Sequence, residues 1–133
     1  MAYRRNETPL ESLEQRFLFE WASDMADLKW PELKFMFAIP NGGSRHKIEA
    51  ANLKKQGVKA GVPDVMLPVP RHGYHGLYIE MKRRRGGTLS RDQKTYIAFL
   101  REQGYKVEKC NGFHEAADVI EDYMSEEKES IHE

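Results

Sequence analysis

The run Leu77-Tyr78-Ile79-Glu80-Met81-Lys82, within "GVPDVMLPVPRHGYHGLYIEMKRRRGG" at residues 61–87, constrains this chain more than any other stretch. It is short and mostly apolar, and it reads as a buried strand. Alternation puts Leu77, Ile79 and Met81 on one face and Tyr78, Glu80 and Lys82 on the other. A carboxylate and an ammonium then share a buried face, which is costly unless each finds partners. Folding alone does not ask for them, so they point to a function. Two plainer readings stand beside that one: a structural ion pair, or an edge strand whose charges face water and discourage aggregation.

The rest of the pattern places this strand in an alternating α/β chain. In "ESLEQRFLFEWASDMADL" the residues Leu13, Phe17, Trp21, Met25 and Leu28 form an amphipathic stripe, predicting a helix over 11–28. After Pro31, "LKFMFAIPN" predicts a first strand with Phe35, Phe37 and Ile39 on one side, closed by the Pro40-Asn41-Gly42-Gly43 turn cluster. "SRHKIEAANLKKQG" predicts a helix ending at Gly57. "PDVMLPV" and "GLYIEMK" are two strands joined by the hairpin loop "PRHGYHG", and they pair antiparallel. Ser90 caps a helix through Tyr96, Ile97 and Leu100 that stops at Gly104; "YKVEKC" is a strand, and "HEAADVIEDYM" a last helix through Ala116, Ile120 and Tyr123. The strand-helix-strand run from Leu77 to Cys110 is long enough for a right-handed crossover, so those two strands are expected to be parallel.

At 133 residues the chain suits one domain, here residues 1–124, followed by an acidic segment 125–133 expected to be disordered. No stretch approaches the roughly 18 apolar residues of a membrane span, and "MAYRRNETPLES" lacks the apolar core of a secretory signal. A cytoplasmic protein is the expectation. Cys110 stands alone, which excludes an internal disulfide and a zinc pattern and leaves it as filler at a strand end. The net charge of zero hides a division: residues 115–133 hold eight acids against Lys128, so the remainder carries seven more bases than acids. Those bases cluster in "RHKIEAANLKKQGVK" and "KRRRGGTLSRDQK", a surface suited to phosphates, although a solvated basic face is the plainer account.

Chemistry enters through Asp64. Across the hairpin, Asp64 falls opposite or diagonal to Glu80 on one face. Two carboxylates at that distance repel, and a hard divalent cation such as Mg²⁺ or Mn²⁺ resolves the repulsion. Such an ion lowers the pKa of a bound water and polarises a phosphoryl oxygen, while Lys82, on the same face, orients the nucleophile or offsets developing charge. That assembly hydrolyses phosphodiesters. Taken alone, Asp64 after Pro63 is an ordinary turn residue. Ser90 and Gln93 form a capping box, with a role for Gln93 at the site's edge open beside it. Glu11, Glu14 and Gln15 share one side of the first helix, where acids near a helix start also serve the macrodipole. His72 and His75 read as exposed loop residues.

The "PD", "EMK" spacing of sixteen positions from Asp64 to Glu80, together with "ESLEQ", "IPNGGSR", "GVKAGVPDVML", "LSRDQ" and "GYKVEKCNGFHEAADVIEDYM", resembles the VRR-NUC family of the PD-(D/E)xK nuclease superfamily, in its stand-alone phage and bacterial form. The resemblance covers residues 11–124. It implies a restriction-endonuclease-like αβββαβ core, a mixed four-stranded sheet flanked by helices. It also implies a Mg²⁺- or Mn²⁺-dependent endonuclease acting on branched DNA, similar to Holliday-junction resolvases and homodimeric; a non-catalytic DNA-binding module of the same fold is the alternative. By the same resemblance Asp64, Glu80, the Met81 main-chain carbonyl and a first-helix acid are metal ligands, that acid being Glu11 in preference to Glu14. Lys82 is the catalytic lysine and Gln93 sits at the edge of the site. Arg45, Lys47, Arg83, Arg84 and Arg85 are the expected DNA contacts.

Overall fold

The computed structural model describes residues 10–40 and 47–126. Helix α1 spans Glu11–Leu28, a 3₁₀ turn Pro31–Phe35, strand β1 Phe37–Ala38 and helix α2 Lys47–Lys55. Strands β2, Val65–Leu67, and β3, Leu77–Lys82, follow, then α3, Arg91–Glu102, β4, Lys106–Asn111, and α4, Phe113–Met124. The four strands form one mixed sheet in the order β1-β2-β3-β4. Its first two pairings are antiparallel, and β3 pairs parallel with β4, as the crossover through α3 requires.

The sheet is sandwiched, and β3 shows why. Leu77, Ile79 and Met81 join Leu18, Ala22 and Ala26 of α1 and Ala116, Ile120 and Tyr123 of α4 in the larger core. Tyr78, on the opposite face, packs with Ile97 and Leu100 of α3 and Val107 of β4 in a smaller one. Cys110 is a buried member of the larger core. The Tyr123 hydroxyl donates to the Val69 carbonyl at 2.6 Å, closing the hairpin loop against α4. His72 and His75 are exposed in that loop.

Two expectations need correction. The buried line of α1 is Glu14, Leu18, Ala22 and Ala26, one position beyond the stripe of Leu13, Phe17, Trp21, Met25 and Leu28; Leu28 is 79% exposed. Small Ala22 and Ala26 let the helix come close to its neighbours, so the larger apolar residues flank the contact. The first strand is also shorter than expected. Pro31 opens a 3₁₀ turn whose inward residue is Leu33, Met36 is buried, and Phe35 and Phe37 lie outward. Among the described residues this part of the chain reaches extended pairing only at Phe37 and Ala38, on a sheet edge where β2 is the one neighbour. Residues 127–133, most of the acidic segment, lie outside the described residues, and so do Arg45 and the side chain of Lys47.

The corrected packing of α1 is checked by chemical denaturation. Leu18→Ala is expected to cost about 3 kcal/mol by opening a cavity, and Leu28→Ala less than about 0.5 kcal/mol. Equal costs would place the buried line where the large apolar residues are.

Candidate active site

The hairpin register fixes the central pair. Val65 opposes Ile79, and continuing the antiparallel ladder by one residue sets Asp64 opposite Glu80. Asp64 is held there on both sides. Its carbonyl accepts the Ile39 amide at 2.7 Å, and its Oδ2 accepts the Met81 amide at 2.8 Å. Glu80 is 2% exposed. Its Oε1 is buried without a donor among the described residues, and the neighbouring Asp64 is an acceptor as well. Burial first, then a hydrogen bond with Asp64 and the charge of Asp64, push the Glu80 carboxyl up to about 9; Lys82 lowers it and Glu11 raises it further. At neutral pH Glu80 therefore holds a proton.

Helix α3 delivers the third member. Ser90 Oγ accepts the Gln93 amide at 3.1 Å and Gln93 Oε1 accepts the Ser90 amide at 2.9 Å, a complete capping box. The same Gln93 reaches into the site: its Oε1 accepts from Lys82 Nζ at 3.1 Å, and its Nε2 donates to Glu80 Oε2 at 3.2 Å. One side chain thus completes the cap and contacts both Lys82 and Glu80. Lys82 Nζ lies 3.8 Å from Glu80 Oε2. Its stem runs beside Gly87, where φ is +76° and an added Cβ would meet Lys82 Cβ at 3.0 Å.

Glu11 and Glu14 part company. Glu11 is exposed and acts on Glu80 through its charge. Glu14 is fully buried and engaged elsewhere: Oε1 accepts the Phe113 amide at 2.9 Å, and Oε2 lies 2.6 Å from Arg84 Nε. Arg84 is therefore tied down, whereas Arg83 and Arg85 are exposed. Among the described residues no three acids, histidines or cysteines converge into a metal-holding group. The Asp64–Glu80 pair nonetheless fits a hard cation: two facing carboxylates, one with a donorless buried oxygen, are the chemistry such an ion takes.

Two features were missed in the sequence. Lys109 pairs with Glu80 in the parallel ladder and is exposed on the same face, and Asn111 pairs with Lys82. The alternation within "KVEKCN" carried that signal once parallel pairing was assumed. Next to Gln93 an open pocket of about 380 Å³ is lined by Lys54, Lys59, Ser90 and Asp92, among others, bringing bases from the α2 region to the start of α3.

A family model described as VRR-NUC domain matches residues 3–114. A solved structure described as "VRR_NUC domain protein" is similar with a TM-score of 0.76 and 29% sequence identity, over 89% of this chain and 90% of that one. No curated protein matches.

The proton on Glu80 gives stability a pH dependence of definite sign. Between about 4.5 and about 9 the folded protein holds at Glu80 a proton that the unfolded chain has released, so rising pH favours unfolding across that window. In metal-free buffer the melting temperature is expected to fall from pH 5 to pH 9, and Glu80→Gln to flatten that slope. Parallel slopes for the two proteins would refute the assignment.

Proposed function

The chain belongs to the VRR-NUC family, a nuclease-type fold, and from that premise we propose that it is a metal-dependent, structure-selective endodeoxyribonuclease. Its reaction is hydrolysis of phosphodiester bonds in branched DNA, in the manner of a Holliday-junction resolvase. The observation that carries this reading is Glu80: a buried carboxyl set against Asp64, with Gln93 and Lys82 on its other oxygen.

In this reading Asp64 and Glu80 would hold Mg²⁺ or Mn²⁺, with the Met81 carbonyl and Glu11 as further ligands. When bound, the ion supplies an acidified water and a polarised phosphoryl oxygen. The remaining work falls to the chain. The Met81 amide fixes the Asp64 carboxylate, and Gln93 holds the Lys82 ammonium within 3.1 Å of its own carbonyl oxygen. From there Lys82 orients the attacking water and offsets charge developing on the phosphate. Exposed Arg83, Arg85 and Lys109, with Lys54 and Lys59, supply bases around the site for the DNA backbone.

A homodimer suits paired incisions at a junction. The edge strand β1 supports it: Phe37 on that strand and Phe35 in the turn before it are 47% and 71% exposed, and we assign that edge to a second copy of the chain.

Purified protein is expected to cut a synthetic four-way junction in preference to linear duplex when Mg²⁺ or Mn²⁺ is added. Glu80→Ala and Lys82→Ala are each expected to lower the rate by about a hundredfold or more, with junction binding retained. Folded protein that binds the junction in a salt-dependent way but yields no product with either metal would make it a binding module instead. The solution mass is expected to be that of two chains, falling to one on Phe37→Glu.

A further inference from the structure

We propose that residues 83–87, "RRRGG", form a pre-shaped phosphate-gripping loop in which Arg84 is an internal strut. Arg83 and Arg85 make the contacts, and Glu14 and Asn111 are the positioning residues. The proposal rests on the DNA-cleaving reading above and specifies how that site holds its substrate's backbone.

The starting point is a buried charge without catalytic use. Glu14 is fully buried, and its partner Arg84 remains half exposed. Taking a carboxylate out of water is costly, and leaving it there without its partner costs more. Glu14 binds two elements at once, the first amide of α4 at Phe113 and the Arg84 guanidinium. It thereby ties the segment just beyond the catalytic strand to α1 and α4. The space beneath Arg84 is reserved for it: Gly112 has a φ of +88°, and a Cβ there would stand 2.7 Å from Arg84 Cγ.

Asn111 shapes the loop from the other side. Its Nδ2 donates to the Arg83 carbonyl at 2.8 Å and to the Gly86 carbonyl at 2.9 Å, pinning the two ends of the excursion together. Gly86 and Gly87, both with φ in the left-handed region, let the chain turn back until Gly87 lies against the Lys82 stem. With Arg84 paired to Glu14, Arg83 and Arg85 are exposed and have no ion-pair partner among the described residues. Two free guanidinium groups thus flank the end of the strand that carries Glu80 and Lys82, on a backbone that does not have to be ordered on binding. A phosphodiester backbone is the ligand this arrangement fits.

Binding of a labelled four-way junction, in EDTA and across a range of KCl concentrations, tests this. The salt slope counts phosphates neutralised, and the offset at constant slope reports the cost of ordering the loop. Arg83→Ala and Arg85→Ala are each expected to lower the slope by about 0.9. Arg84→Ala, Asn111→Ala and Glu14→Gln are expected to leave the slope unchanged and weaken binding about two- to tenfold at every salt concentration. If burial makes Glu14→Gln unfold, Asn111→Ala, a change at a partly exposed strand end, carries the test. A loss of slope in Arg84→Ala equal to that of Arg83→Ala, or wild-type affinity in Asn111→Ala, overturns the strut assignment. A wild-type protein that binds no junction at all sinks the DNA-cleaving reading instead.

Discussion

Two acids facing each other across a two-stranded hairpin organise this molecule. The ladder that sets Val65 against Ile79 leaves Asp64 and Glu80 no other arrangement, and burial makes their mutual repulsion expensive. Everything near them answers that tension. The Met81 amide holds one acid, Gln93 holds the other, and Glu80 keeps a proton beside Asp64. A hydrophobic pair at these positions would make a quieter sheet, and the strain that remains is consistent with a site kept for its chemistry.

The neighbouring framework is built from contacts that serve two purposes. Gln93 completes a helix cap and orients a lysine; Glu14 satisfies the first amide of α4 and restrains an arginine. Such sharing couples the stability of secondary structure to the geometry of the site. Asp64, Gln93 and Glu14 each answer a backbone amide, which leaves the buried Glu80 Oε1 as the exception in the site.

How much of this was legible in the chain follows from the range of each interaction. The charged alternation of β3, the capping box at Ser90 and the crossover to β4 are local patterns, and they stand where spacing placed them. The buried line of α1 was not legible, because Ala22, Ala26 and Glu14 carry little apolar signal although they make the closest approach. The first strand was over-read because the aromatic residues near Pro31 alternate, while a 3₁₀ turn and an open edge turn Phe35 and Phe37 outward. Least legible was the Glu14–Phe113 contact, which joins residues 99 positions apart. No local period announces a tie of that length, so the division of labour between Glu11 and Glu14 had to come from the folded chain.

The parallel pairing of β3 with β4 has a consequence for how such a chain can vary. Because the return to β4 must pass over one face of the sheet in a right-handed sense, α3 begins beside the end of β3 from which the chain has just departed. The glutamine arrives there by route, with no dedicated contact needed to recruit it. Lengthening the short connector between Lys82 and Ser90 would therefore loosen the chemistry while sparing the architecture, whereas additions in the far hairpin, around Gly73, would touch neither. Room for insertion in this sheet is lopsided, generous at the hairpin end and narrow at the end where α3 begins.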